Sequence, residues 1–387
     1  MNFSLSEEES MLESLAQRLF AQEGGAAKGR NREQLWSRMG EVGLLGLLVS
    51  EEYGGSSRSA HDGAVAAHIV AKAMGRSLAD APFAASAIAA ASLLESCACH
   101  ALKQELLPRM AIGQLTLALA HDEGAGGTDF VHTGTVAMPT LQGYLLRGRK
   151  LEVPQGAGAD GFIVSARTSG AERDEAGISL FVLDRHSSGL LVDVGADGRC
   201  SLILDGVPAA ADRIVGFAGE GLTPMRHAIH RGIAALLADA VGAMQGLLEM
   251  SIAHLKTRRQ FGQPLANFQA LQHHMADMAT SVEQAAAMSL MAAMGSATDE
   301  EIPRAARISA AKAYVCRQGL QVAQVAIQLH GGMGMTQELA TSRYFRRLIA
   351  IDAAWGKGTA HAAAFARALA RCPDLRESSM SFQSPQH

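Results

Sequence analysis

Two short segments carry the residues best suited to chemistry. The first, HLKTRRQFGQPLANFQALQHHMADM, runs from His254 to Met278. It reads as a helix ending in a basic cluster, a tight turn at Gly262 with Pro264, and a second helix opening near Asn267. An arginine at such a helix end, beside the donors that open the next helix, can hold a diphosphate through charge-assisted hydrogen bonds. A solvated charge cluster at a helical hairpin has the same composition, and the physics of the segment alone favours that plainer reading. The second segment, QLHGGMGMTQELATSRYFRR, spans Gln328 to Arg347. Adjacent Gly331 and Gly332 permit close backbone approach to a ligand, with Gln328 able to donate or accept beside them, although glycines also commonly just cap helices.

The elements around these segments fall into three runs. Ser6 and Glu9 have capping-box spacing ahead of Leu12, Leu15 and Leu19, which predicts an amphipathic first helix. Helical stretches at Glu33–Ser50, Ala60–Met74, Ala81–Cys97 and Leu102–Ala111 follow, so 1–114 reads as an all-helical domain. From Thr116, β-prone stretches alternate with glycine-rich turns (LTLALA, YLLRGRKLEV, GFIVSART, ISLFVLD, GLLVDV, CSLILDG), predicting a small β-domain over 115–221. Helical periodicity then returns. Ile233, Leu237, Val241, Met244, Leu248 and Leu255 share one face of a long helix, and Phe268, Leu271, Met275, Met278 and Val282 follow a heptad. Residues 222–372 are expected to form a helical bundle and 373–387 a disordered tail.

Composition narrows the function. With 387 residues the chain can bury a large core, and 34 Lys plus Arg against 38 Asp plus Glu give a net charge of −4. Such a balance supplies no general field for nucleic acid or anionic lipid. The five cysteines, Cys97, Cys99, Cys200, Cys316 and Cys372, are scattered, with no paired C-x-x-C ligands for a metal. The N-terminus, MNFSLSEEESML, is acidic where a targeting peptide is basic, and no apolar run reads as a bilayer span. A cytoplasmic, unprocessed protein without a membrane or nucleic-acid partner is the expectation.

The first segment resembles the R-x-Q-F-G…F-Q signature of acyl-CoA dehydrogenases, and the second their Q-x-x-G-G-x-G followed by R-Y-F-R. Both stand in the family's order and spacing, and the α, β, α layout agrees over nearly all of 1–371. The resemblance implies an α+β fold: N-terminal helical domain, middle β-barrel-like domain and C-terminal four-helix bundle. It implies FAD as cofactor, with Arg258, Gln260, Phe261, Gln269, Gln328, Gly331 and Gly332 reaching the flavin of a neighbouring subunit, and Thr128 and Val153 on the chain's own flavin bed. LKTRRQFG, LHGGMGMT and RYFRRLIAID look most like the small subunits of pimeloyl-CoA-type, heteromeric bacterial enzymes.

Departures from the pattern are concentrated at the reaction centre. In this family a carboxylate takes the α-proton of the thioester while the β-hydrogen leaves as hydride to the flavin, so a base must face the ring. The family's two places for that Glu map onto Trp355, in AAWGKGT, and near Gly232. Asp239 and Asp352 are the displaced alternatives, each more commonly an ordinary ion-pair partner. The family's CoA-contacting arginine maps to Ile233, with Arg231 a possible substitute. HDEGAGGTD puts Asp122 where a threonine would meet the flavin, and the W/F-I-T tripeptide maps to Glu152, Val153 and Pro154, which offers neither hydroxyl nor N–H. The resemblance therefore implies a subunit taking part in acyl-CoA desaturation with an electron-transfer flavoprotein as acceptor. It would assemble as a tetramer with another acyl-CoA dehydrogenase subunit that supplies the base. A homotetramer with an unusual base and a catalytically silent acyl-CoA-binding or scaffold protein are the alternatives.

Overall fold

The computed structural model describes residues 6–23, 32–124, 127–195, 198–335 and 340–371. The predicted tail and Cys372 lie outside them. Helix α1 (Glu7–Glu23) starts as its sequence requires: Ser6 N–H donates to Glu9 Oε2 (2.7 Å) and Glu9 N–H to Ser6 Oγ (3.2 Å), a reciprocal cap. Helices α2 (Arg32–Glu41), α3 (Ala60–Ser77), α4 (Ala91–Ser96) and α5 (His100–Ala111) complete the first run. The alanine-rich stretch ahead of α4 is a wide π-type turn sequence over Phe83–Ala90, with every residue buried. The β-domain fixes its start, because Gln155 accepts from Ala85 N–H and donates to Ala81 O, both at 3.0 Å.

The middle run forms one curled seven-stranded sheet, in which β1 (Leu117–Ala120), β4 (Gly161–Arg167), β2 (Val136–Thr140), β3 (Gly143–Lys150), β7 (Cys200–Ala210) and β6 (Leu190–Val194) follow in that spatial order. Strand β5 (Ile178–Asp184) pairs with β4 off this path. The sheet closes over its own core of Phe162, Val164, Phe181, Leu146 and Leu202. Strand β2 is absent from the sequence reading because Pro139 and the flanking threonines look like loop. Tertiary pairing overrides that signal: Thr140 sits opposite Gly143 across a two-residue turn, and Gly143 has φ +141°.

Helix α6 (Leu222–Thr257) leads the third run, followed by a two-stranded ribbon of β8 (Arg259–Gln260) and β9 (Gln263–Pro264). Then come α7 (Gln269–Ser296), α8 (Glu301–His330), α9 (Thr341–Ala353) and α10 (Gly358–Arg371). Helix α6 is, by length and hydropathy, capable of crossing a membrane, which corrects the sequence reading. Here 78% of its most apolar window is buried inside the protein. Leu237, Val241 and Met244 are fully covered, each worth about 1.5–3 kcal/mol. The two helical runs share one core rather than two. Their seam is α3 against α6, where a Cβ on Gly75 would stand 1.9 Å from Asp239 O and one on Gly242 1.9 Å from Lys72 O. Only glycine permits that approach.

Candidate active site

The C-terminal end of α9 turns back toward the β-domain and delivers Trp355 into the space between sheet and bundle. A small cavity of 40 Å³ remains there, lined among others by Leu119, Asp122, Phe130, Glu152, Pro154 and Trp355. Trp355 is 9% exposed and holds φ +53°, an unfavourable conformation for a bulky residue. Its loop is clamped from behind. Lys312 Nζ, wholly buried, donates to Ile351 O (2.6 Å) and Ala354 O (2.8 Å). His361 Nε2 donates to Trp355 O (3.0 Å), leaving Nδ1 to accept from the Ser309 hydroxyl (3.1 Å). The indole then packs against bare backbone of α6: a Cβ on Gly232 would sit 2.5 Å from Trp355 Cη2 and 2.6 Å from Cζ3. The two places where a base was sought are thus in contact with each other, and both present apolar atoms.

Beneath the cavity lies a charged network that the sequence reading missed. Glu123 accepts from Lys150 Nζ (2.5 Å), Thr135 Oγ1 (2.6 Å), Gly134 N–H (2.6 Å) and Thr135 N–H (3.0 Å). Burial pushes the Glu123 carboxyl up, but Lys150 and the Thr135 donors reverse this and hold it below its usual range. Burial lowers the Lys150 ammonium to about 8 against the pull of Glu123. His121, beside them, is pushed down to about 3 by burial and by Lys150, so it is neutral and bonded to Ser165 Oγ (2.9 Å). A lysine inside a strand gives no sequence signal that it will be buried, because its partner Glu123 is brought by the loop after β1.

Four of the sequence candidates are placed away from the cavity. Asp239 forms a two-pronged ion pair with Arg347, Nε to Oδ1 at 2.6 Å and Nη2 to Oδ2 at 2.5 Å, on the α3 side of α6. Asp352 accepts the N–H of Gly358 (2.9 Å) and caps α10. Each carboxylate is a structural partner of a neighbouring element and does not line the cavity. Arg231 points instead toward α3 and α7, lining a 10 Å³ void with His68, Ile88 and Ala234. Val153 spends its N–H on Cys200 O (2.8 Å) and its side chain in the β-domain core. Thr128 does reach the site, its Cγ2 standing over Gly356.

The remaining candidates gather at one exposed end of the bundle. Arg258 caps α6, with its N–H on His254 O (2.9 Å), and Leu265 N–H returns to Arg258 O (2.8 Å), closing the turn. Gln260, Gln269 and Gln328 are exposed, as is Phe261 at 85%, edge-on to Phe268. Stacking of His254 on His330, with ring centroids 4.4 Å apart, joins the end of α6 to the end of α8. Gly331 (φ +63°, ψ −147°) adopts a conformation reserved for glycine, and open space lies where a Cβ would stand on Gly331 and Gly332.

Fold and site together define an acyl-CoA dehydrogenase framework, and comparison with known proteins agrees. Residues 6–114 match the profile "Acyl-CoA dehydrogenase, N-terminal domain" and 219–370 "Acyl-CoA dehydrogenase, C-terminal domain". The chain is 29% identical over 360 residues to "Probable acyl-CoA dehydrogenase YngJ" of Bacillus subtilis, covering 89% of this chain and 93% of that one. It is 30% identical over 321 residues to "L-prolyl-[peptidyl-carrier protein] dehydrogenase" of Pseudomonas fluorescens, covering 80% and 83%. Among solved structures, the "Tcur3481-Tcur3483 steroid ACAD" variant is similar at TM-score 0.81 and 28% identity, covering 95% and 99%. The chain belongs to the acyl-CoA dehydrogenase family, FAD-dependent oxidoreductases that act on CH–CH donors.

The two halves of the site accommodate that cofactor unequally. Between sheet and bundle, Asp122 Oδ1 is occupied by Gly124 N–H (2.7 Å), Pro154 has no N–H, and Val153 N–H is spent. A 40 Å³ void has room for about three waters and not for a three-ring flavin beside this Trp355. The exposed bundle end does fit an anionic group, with the Arg258 guanidinium in solvent and open space over the Gly331 and Gly332 backbone.

Proposed function

We propose that this chain is the base-lacking subunit of a heteromeric acyl-CoA dehydrogenase. A partner of the same family supplies the catalytic Glu and the principal flavin bed, while this chain presents Arg258, Phe261, Gln269, Gln328, Gly331 and Gly332 to the partner's FAD. The assembly oxidises an acyl-CoA to the 2,3-enoyl-CoA and passes electrons to an electron-transfer flavoprotein. FAD, when bound, would supply the hydride acceptor, and Arg258 with the Gly331 and Gly332 backbone would hold its diphosphate. The observation that carries the reading is the contact of Trp355 with Gly232. A proton-abstracting group is required opposite the ring, and here both positions for it are apolar and packed together. The two-named "Tcur3481-Tcur3483 steroid ACAD" is consistent with such an arrangement in a relative.

The test is purification of the chain alone and together with a family member carrying Glu at one of the two base positions. The expected result is negligible acyl-CoA-dependent dye reduction by the isolated chain, robust turnover by the complex, and fewer flavins than chains. Full turnover and one tightly held FAD per chain in the isolated protein would overturn the reading.

A further inference from the structure

Backbone strain collects around the closed cavity between sheet and bundle. Of the six described non-glycine residues held at positive φ, Phe130 (+53°), Glu152 (+46°) and Trp355 (+53°) line it. Such a conformation persists only where the surroundings impose it. At Phe130 the imposing groups are visible. Its ring, 6% exposed, stands edge-on between His121, with centroids 6.0 Å apart, and His230, at 6.4 Å. The carbonyl just before it, Asp129 O, accepts from Arg226 Nε at 2.7 Å.

Arg226, early in α6, spends its whole fork at this seam. Nη1 donates to Glu301 (2.8 Å) in the first turn of α8, and Nη2 to Glu175 (3.2 Å) ahead of β5. One guanidinium thereby fastens the β-domain to two helices of the bundle. On its far side lies a solvent-facing groove of 640 Å³, lined by Arg226, Glu175 and Glu301 and, on an apolar wall, by Leu93, Phe217 and Leu222. Arg226 with Asp129 and Phe130 is therefore the partition between that groove and the 40 Å³ cavity.

We propose that Arg226 is a latch on this cavity. When its fork lets go of Asp129 O, Phe130 leaves its strained conformation, and the cavity with its Trp355 indole joins the groove. Two features favour release as a discrete event. Relief of strain at Phe130 acts in the direction of opening. The carboxylates that hold the fork, Glu175 and Glu301, are 75% and 37% exposed at the side chain, so water takes over their bonds and no buried charge is left behind. The latch concerns access to the cavity, and so goes beyond the reading of a base-lacking subunit without depending on it.

The chain's two tryptophans provide the test. Trp36→Phe leaves Trp355 as the sole indole, and Trp355→Phe leaves Trp36, 5% exposed on α2 of the first helical run. Acrylamide quenching of fluorescence in native buffer reports access to each. A hydrogen bond to a charged group is worth about ten- to a hundredfold in an equilibrium. Arg226→Met, which keeps the aliphatic stem and removes the fork, is therefore expected to raise the quenching constant of Trp355 about tenfold and to leave that of Trp36 unchanged. Arg226→Lys keeps the charge but only one point of contact, and is expected to raise it by less. No rise at Trp355 in either variant overturns the proposal. An equal rise at both indoles overturns it too, since Arg226 would then be an ordinary structural contact whose loss loosens the whole fold. If Arg226→Met does not fold, Arg226→Lys decides between the same outcomes.

Discussion

The contact between Trp355 and Gly232 can be weighed by a double-mutant cycle of stability. Gly232→Ala replaces a mid-helix glycine, which by itself stabilises a helix by about 1 kcal/mol. The new Cβ, however, would lie 2.5 Å from Trp355 Cη2 and 3.2 Å from Ala89 Cβ, far inside contact distance for the indole. Overpacking of this kind costs about 1–3 kcal/mol. The net expectation in the wild-type background is therefore a loss of up to about 2 kcal/mol. Trp355→Ala removes a nearly buried indole held by the Lys312 and His361 clamp and is expected to cost about 3–5 kcal/mol. With the indole gone, Gly232→Ala should recover its helix benefit and stabilise by about 1 kcal/mol. The coupling then amounts to about 1–3 kcal/mol, well beyond the roughly 0.5 kcal/mol seen between independent sites. Urea unfolding of the four proteins, followed by tryptophan-independent far-ultraviolet circular dichroism, measures it. Additive changes, with Gly232→Ala stabilising both backgrounds equally, would show that the indole does not rest on α6 and would remove the main support for an occluded reaction centre.

Trp355→Glu alone should leave the isolated chain without useful dehydrogenase activity, because the loop is clamped for an indole and Asp122 and Pro154 remain; a large gain in a dye-reduction assay would contradict this. Arg258→Ala should release FAD from the complex, since a charge-assisted contact is lost, and absorbance at the flavin band against protein concentration checks it. Asp239→Asn should destabilise the fold by about 3–5 kcal/mol, by leaving Arg347 unpaired, while turnover per folded complex stays the same. A selective loss of turnover would restore Asp239 as a base. Four buried histidines are held well below their usual value, chiefly by burial: His68 and His361 at about 4, His121 and His230 at about 3. Below pH 6.5 the unfolded chain binds protons that the folded one refuses, so stability should fall as pH drops from 6.5 toward 4, by up to about 1.4 kcal/mol per unit for each group. A urea midpoint that stays flat over that range would refute the burial of these rings as neutral species.

What the sequence determined by itself was whatever is local or periodic. The Ser6 and Glu9 cap, the apolar face of α6 and the sheet's alternating stretches are set within a few residues, so their spacing predicts them. The two glycine and arginine motifs were legible for the same reason, since a helix end and the turn after it are encoded together. Strand β2 escaped because Pro139 speaks against a strand locally and only its hairpin partner overrules it. Tertiary structure alone decided the fate of single charges and bulky groups. Nothing near Asp239 reveals that Arg347, more than a hundred residues on, consumes its carboxylate, or that Lys150 is buried with Glu123. Arg231 and Ile233 differ by two positions, yet on a helix that separation turns one side chain toward α3 and α7, away from the cavity. The sequence reading identified Trp355 and Gly232 as two unrelated departures from one pattern. Only the fold makes them a single feature, because an indole can lie across a helix where that helix carries no side chain.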